Sequence, residues 1–320
     1  MGKKILVTPR SFGKTSNVPF EILKKYNYEI IRNQSGKQYT EEELLNIVPD
    51  IDGIIVGLDP ISEKVLKTGK KLKVVSKYGV GLDNIDLDAA EKLGIKITYT
   101  PGANNESVAD LAFSLMLSLS RNVKRLDEIV RTNRWEKVIG SEIYGKVIGI
   151  VGTGAIGKGV AKRATGFNME ILAYDIYPNW DFADKIGMRY VDKNTLLERA
   201  DIVSIHVPLT DEMYHFIDKE ELDIMKDTAI LINTSRGGII NEEALYLALK
   251  DRKIAGAGLD VFEIEPPVNN KLLKLDNILL SPHCGASTID ATNRMGIMAV
   301  EGLVSILEDM EPKYLAEPNT

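Results

Sequence analysis

Residues 146–161 read KVIGIVGTGAIGKGVA. A β-branched run, Val147 to Val151, leads into glycines at 152, 154 and 157, and a helix-forming pattern follows at once. In a strand–turn–helix each glycine has its own task. Gly152 permits the tight turn, Gly154 lets backbone approach a pyrophosphate, and Gly157 lets helix and strand pack closely. Ala155 and Ile156 then open the helix, where unpaired N–H groups and the dipole favour an anion. Asp175 stands eighteen residues after Gly157, at the end of the next apolar run. There it can accept hydrogen bonds from ribose hydroxyls and repel a 2′-phosphate. The following IYPNW has no Arg or Lys to receive such a phosphate, so the pattern calls for NAD rather than NADP.

Six strands are expected around this loop: Val147 to Val151, Glu170 to Asp175, Ile202 to His206, Ala229 to Asn233, Ala255 to Asp260, and Ile278 to Ser281. With helical connections they form a doubly wound dinucleotide-binding sheet. Upstream, KILVTP, YEIIRN, DGIIVG, KVVSKYG and IKITYT read as strands, with helical patterns such as EEELLNIV and EKVLKTG between them, again a parallel α/β arrangement. One long helical stretch, residues 105–135, separates the two regions, and its acidic start and basic end suit a helix dipole. The last helical segment, STIDATNRMGIMAVEGLVSILEDM, follows the completed second sheet and is expected to cross back to the first lobe. The fold class is therefore α/β with two doubly wound domains. Residues 1–99 plus 287–320 form one, and residues 100–286 form the inserted nucleotide-binding domain.

The net charge of −6, with no long basic run, points away from nucleic-acid and anionic-membrane partners. The single cysteine allows no internal disulfide, and the apolar windows are too short to span a bilayer, so a cytoplasmic location is expected.

The last three strands of the second sheet end in NTSRGG, LDVFEIEPP and SPHCGAS, which carry Arg236, then Asp260 and Glu265, then His283 to one edge. A histidine is a suitable proton donor to a carbonyl that receives a hydride, a carboxylate orients its other nitrogen, and an arginine pairs bidentately with a substrate carboxylate. The adjacency of His283 and Cys284 also raises a thiolate nucleophile or a metal site. Neighbouring residues on an extended loop point apart, and no further ligands stand at suitable spacing, so an acid/base imidazole with a bystander thiol is expected and no metal. His206 is read as a wall near the adenine side, and His215 as structural.

Taken together, SKYGVGLDNID, TPGANNESVADLAFSLML, RWEKVIGSEIYGKVIGIVGTGAIGKGVA, YDIYP, NTSRGGIINEEAL, AGLDVFEIEPP and SPHCGAST resemble the D-isomer-specific 2-hydroxyacid dehydrogenases, especially their short phosphoglycerate-dehydrogenase-like members. The resemblance runs nearly end to end. It implies a flavodoxin-like substrate domain split in sequence, an inserted Rossmann NAD-binding domain, and interconversion of a D-2-hydroxy acid with its 2-oxo acid. It assigns Arg236 to substrate orientation, Glu265 to partnering the histidine and His283 to acid/base work, with Glu263 as a competing acid. Asp260 would hold the nicotinamide carboxamide. Val108, Tyr78, His206, Val207, Pro208, Thr234, Ser235 and Gly285 join the cofactor-binding set, while N–H groups of Val80 and Gly81, and Asn104, meet the substrate. Phosphoglycerate-specific relatives carry an Arg-Ser pair where this chain has Gly57 and Leu58, which leaves Arg10 and Lys77 as candidates for a terminal anion. The substrate is then 3-phosphoglycerate/3-phosphohydroxypyruvate or, alternatively, glyoxylate or hydroxypyruvate. Formate dehydrogenase, whose histidine pairs with glutamine, and a non-enzymatic NADH-sensing scaffold like the corepressors of this fold are further alternatives. A homodimer is expected, with residues 105–135 at the contact.

Overall fold

Residues 2–318 are described by a computed structural model. They fall into two units, one of residues up to Asn104 together with those from Ala286 onward, the other Asn105–Gly285. The first opens with β1 (Lys4–Val7), α1 (Val18–Lys24), β2 (Glu29–Arg32), α2 (Glu41–Ile47), β3 (Gly53–Val56), α3 (Glu63–Thr68), β4 (Val74–Lys77), α4 (Leu87–Lys92) and β5 (Lys96–Thr98). The strands β3 and β4 are buried at every residue, as strands covered on both faces must be. Local chemistry sets the helix starts. Thr40 and Glu43 close a reciprocal capping box on α2, and Ser62 and Asp86 cap α3 and α4.

The second unit begins with α5 (Asn105–Ser120) and α6 (Val123–Arg131). The expected single helix over 105–135 is thus two. The break lies at Asn122, which adopts the left-handed conformation with φ 53° and ψ 36°, one that asparagine tolerates better than most residues. The returning chain secures it. Ser141 N–H donates to the carbonyl of Ser120 at 2.8 Å, and Asn122 Nδ2 donates to the carbonyl of Ile139 at 3.3 Å.

The unit continues through β6 (Val147–Val151), α7 (Ala155–Gly166), β7 (Glu170–Tyr174), α8 (Trp180–Ile186), β8 (Met188–Tyr190), α9 (Lys193–Arg199), β9 (Ile202–Ile205), α10 (Lys219–Ile224), β10 (Ile230–Asn233), α11 (Glu242–Lys250), β11 (Gly256–Leu259) and β12 (Ile278–Leu280). Its sheet runs β12-β11-β10-β9-β6-β7-β8, all parallel, so the described strands number seven rather than the six expected. The extra strand is β8, three residues on the edge beyond β7. Strand order reverses between β6 and β9, the switch point at which this architecture binds ligands. Apolar clusters cover both faces, one of them built with α5 and α7.

After Gly285 the chain returns to the first unit as α12 (Ile289–Leu307), packed on α1 and β4, and β13 (Leu315–Ala316), antiparallel to β5. The first sheet reads β13-β5-β4-β3-β1-β2, a flavodoxin-like order with one antiparallel edge strand added. No described helix is long and apolar enough to cross a membrane.

Candidate active site

The glycine loop joins β6 to α7, and its glycines differ in what demands them. A Cβ on Gly152, whose φ is 91°, would lie 2.5 Å from the carbonyl oxygen of His206 and 2.7 Å from Val207 Cγ1. One on Gly157 would lie 1.9 Å from the carbonyl oxygen of Gly152. Both glycines are required by the fold itself. A Cβ on Gly154 would meet nothing within 4 Å, and this residue caps α7 without a capping side chain. The open space and the uncapped first turn, with Ala155 and Ile156, form a cradle for an anion that backbone must approach closely.

Asp175, just beyond β7, closes the loop. Its Oδ2 accepts the Thr153 N–H at 2.6 Å and the Thr153 hydroxyl at 2.8 Å, and its Oδ1 accepts the Tyr177 N–H at 2.8 Å. Burial pushes this carboxyl upward, but the hydrogen bonds from Thr153 and Tyr177 outweigh it and hold the group below its ordinary value.

The residues beyond β11 and β12 are organised by Asp260, which is 1% exposed. Its Oδ1 accepts the Ser281 hydroxyl at 2.6 Å and the Cys284 N–H at 2.9 Å, and its Oδ2 accepts the Gly285 N–H at 2.8 Å. Its carbonyl accepts the His283 N–H at 2.8 Å. These bonds fold the loop so that His283 takes φ 49°, in the left-handed region that a histidine adopts at a cost. Ser107 on α5 adds a hydroxyl bond to the carbonyl of Gly285 at 2.6 Å. The sequence reading gives Asp260 a cofactor contact and misses this clamp; an acid directly after an apolar strand is the available signal.

In that geometry His283 Nδ1 lies 2.8 Å from Glu265 Oε2. The competing acid, Glu263, lies instead 3.2 Å from His215 Nε2. Burial raises the Glu265 carboxyl, but His283, the Phe262 N–H and the charge of Arg236 bring it below its ordinary value. Gly237 explains how Arg236 comes within range. A Cβ there would sit 1.9 Å from the Phe262 carbonyl oxygen, so only glycine lets the two loops close on each other. The Asn233 side chain shapes the rest of the turn by accepting from Ser235 N–H and hydroxyl and donating to the Arg236 carbonyl. Cys284 beside the histidine has a thiol raised by burial and by Asp260, the opposite of an activated nucleophile.

Other predicted residues of this unit lie along the same strand ends. His206 is turned inward, with Nε2 2.8 Å from Ser204 Oγ and a buried Nδ1 that has no partner among the described residues. Burial depresses it to about 3, so it is a neutral ring at physiological pH. Thr234 Oγ1 is likewise buried without a partner, next to Ser235. Val207 and Pro208 continue from His206, and Val108 packs at Gly285.

The first unit's candidates are distributed differently. Lys77, 4% exposed, donates to the Gly57 carbonyl at 2.6 Å and to Asn84 Oδ1. Arg10 donates to the Gly36 carbonyl at 3.0 Å. Tyr78 donates its hydroxyl to the Thr292 carbonyl at 3.1 Å and packs edge-on to Phe12. Asn104 Oδ1 is buried without a partner among the described residues.

Residues 113–285 match the family model described as the NAD-binding domain of the D-isomer specific 2-hydroxyacid dehydrogenases. The chain is also 45% identical over 284 residues to a glyoxylate reductase of Korarchaeum cryptofilum, covering 86% of each protein. The chain belongs to this dehydrogenase family. A hydroxypyruvate reductase of Thermotoga maritima is 43% identical over 291 residues, 87% of this chain and 94% of that protein. The crystal structure of a D-lactate dehydrogenase from Aquifex aeolicus, complexed with NAD and lactic acid, superposes with a TM-score of 0.84 at 31% identity, covering 95% of this chain and 96% of that one. As a 2-hydroxyacid dehydrogenase the protein acts on CH–OH groups with NAD. The uncapped α7, the open side of Gly154, and the orphaned polar atoms of His206 and Thr234 suit such a dinucleotide.

Proposed function

We propose that the protein reduces a short, unphosphorylated 2-oxo acid of the glyoxylate or hydroxypyruvate type to the D-2-hydroxy acid, with His283, Glu265 and Arg236 as its catalytic residues. The observation that carries this is the 2.8 Å contact between His283 Nδ1 and Glu265, made at the strand ends beside Arg236 on the sheet edge of the glycine loop. Because Glu265 takes Nδ1, the Nε2 nitrogen is the one presented to substrate. When bound, NADH supplies the hydride. His283 Nε2 gives its proton to the carbonyl oxygen, and the Glu265 carboxylate stabilises the imidazolium before transfer and fixes its orientation. Arg236 binds the substrate carboxylate and polarises the adjoining carbonyl. In the first unit, the N–H groups of Val80 and Gly81 meet no acceptor among the described residues.

The names of the relatives support glyoxylate or hydroxypyruvate over the phosphoglycerate pair. So does the burial of Lys77, two of whose three N–H donors go to Gly57 and Asn84. NADH oxidation should be followed against glyoxylate, hydroxypyruvate, phosphohydroxypyruvate and bulkier 2-oxo acids. The first two should give the highest kcat/KM. A preference for phosphohydroxypyruvate would overturn the substrate assignment, and tight NADH binding without turnover of any acid would favour a sensor.

The second unit also supports assembly as a homodimer. Val123, Val130, Trp135, Ile139 and Tyr144 are exposed on and after α6, Trp135 by 88% and Ile139 by 95%. Large apolar side chains left exposed along one stretch of chain support an interaction surface there. Light scattering should give a dimer mass that Trp135→Glu reduces; a wild-type monomer would refute the dimer.

A further inference from the structure

We propose that Tyr190 and Thr153 are positioning residues that set the preference for NAD(H) over NADP(H), acting through Asp175. The inference rests on the reading of Asp175 as the ribose contact and adds what holds it there. Tyr190 ends β8, the edge strand that sequence patterning does not reveal. Its hydroxyl lies 2.8 Å from Thr153 Oγ1, and the Asn179 N–H donates to the same tyrosine oxygen at 2.9 Å.

The direction of every bond follows from the donor inventory. A carboxylate only accepts, so the single Thr153 hydroxyl proton goes to Asp175 Oδ2. Thr153 Oγ1 must then accept from the Tyr190 hydroxyl, whose oxygen accepts from Asn179 N–H. The result is a one-way chain, Asn179 to Tyr190 to Thr153 to Asp175, running from the start of α8 across β8 to the glycine loop. Thr153 is 4% exposed, and Tyr190 is held edge-on by Trp180 with ring centroids 5.0 Å apart.

The chain leaves Asp175 few ways to respond to a ligand. Two acceptor sites on Oδ2 are taken by Thr153 and one on Oδ1 by Tyr177, so of about four carboxylate acceptor sites roughly one remains for ribose. A carboxylate pinned in this way cannot rotate aside to admit a 2′-phosphate. Cutting the chain releases it without removing its charge.

The test measures dissociation constants for NADH and NADPH separately, by fluorescence titration of the whole protein. The variants are Tyr190→Phe, which keeps the packing on Trp180, Thr153→Val and Thr153→Ser. Thr153→Val should lower the NADPH-to-NADH ratio of dissociation constants about tenfold, the scale of one hydrogen bond to a charged group, and Tyr190→Phe, which removes a neutral hydrogen bond to Thr153, should lower it about threefold. Thr153→Ser, which retains the hydroxyl, should restore the wild-type ratio. In the cofactor-free protein, carbon-detected NMR titration should show the Asp175 carboxyl rising toward its ordinary value in Thr153→Val. Asp175→Asn is the reference. If it collapses the ratio while Tyr190→Phe and Thr153→Val do not, the positioning chain is refuted and the ribose reading survives. If Asp175→Asn leaves the ratio unchanged, the ribose reading fails and the inference with it.

Discussion

Replacing Asp260 with Asn tests the clamp that shapes the His283 loop. The carboxylate serves three donors, Ser281 and Cys284 on Oδ1 and Gly285 on Oδ2. An asparagine has one acceptor oxygen. Placed toward Cys284, it turns its own NH2 against the Gly285 N–H; flipped, it turns the NH2 against the Cys284 N–H, while the Ser281 hydroxyl can reorient to accept. Either way one N–H is orphaned, buried at Gly285 or half-buried at Cys284, at a cost of about 2–3 kcal/mol. For a unit of this size that corresponds to a Tm lower by about 4–12 °C. The strain at His283, whose left-handed backbone costs about 1–2 kcal/mol, is then no longer offset, and the loop can relax. A displacement of His283 by about 1 Å would lower kcat by about 10²-fold. Calorimetry of the cofactor-free protein measures the first effect without interference from any contact between Asp260 and NAD. An unchanged Tm together with a wild-type kcat would refute the clamp.

The two inner glycines should separate fold from ligand. Gly157→Ala forces a Cβ against the Gly152 carbonyl and should cost about 1–3 kcal/mol of stability in the cofactor-free protein, read by denaturant unfolding. Gly154→Ala meets no protein atom, so its Tm should hold while NADH affinity falls about tenfold or more. Glu265→Gln should reduce kcat about 10²-fold, because the imidazolium loses its counter-charge. Glu265 is held below its ordinary carboxylate value of 4.5, so its stabilisation is complete above that pH and is lost as pH falls through the depressed value. Acid unfolding of Glu265→Gln should accordingly show a shallower dependence on pH in that range.

Much of the architecture is legible because parallel strands buried on both faces write themselves as apolar runs. Each principal strand of both sheets can be read in this way, and the parallel arrangement brings the ends of β10, β11 and β12 to one edge before any distance is known. Short edge elements leave no such trace. The three residues of β8 and two of β13 have too little length for a period, and they gain strand character only by pairing with β7 and β5. The helix break at Asn122 is hidden for a different reason. Helix-forming residues continue on both sides of it, and only the chain returning at Ile139–Ser141 reveals why one residue turns left-handed. Sequence presents an acid at 260 and a cation at 77 but cannot say what their hydrogen-bonding groups already engage. Asp260 uses its carboxylate on its own neighbours, and Lys77 is buried against Gly57 and Asn84.

Single-turnover oxidation of bound NADH by glyoxylate or hydroxypyruvate in His283→Ala isolates the proton transfer assigned to His283. NADH affinity should be unaltered while the hydride-transfer rate falls by about 10²–10⁴-fold. A variant that binds NADH and still turns over at the wild-type rate would contradict that assignment.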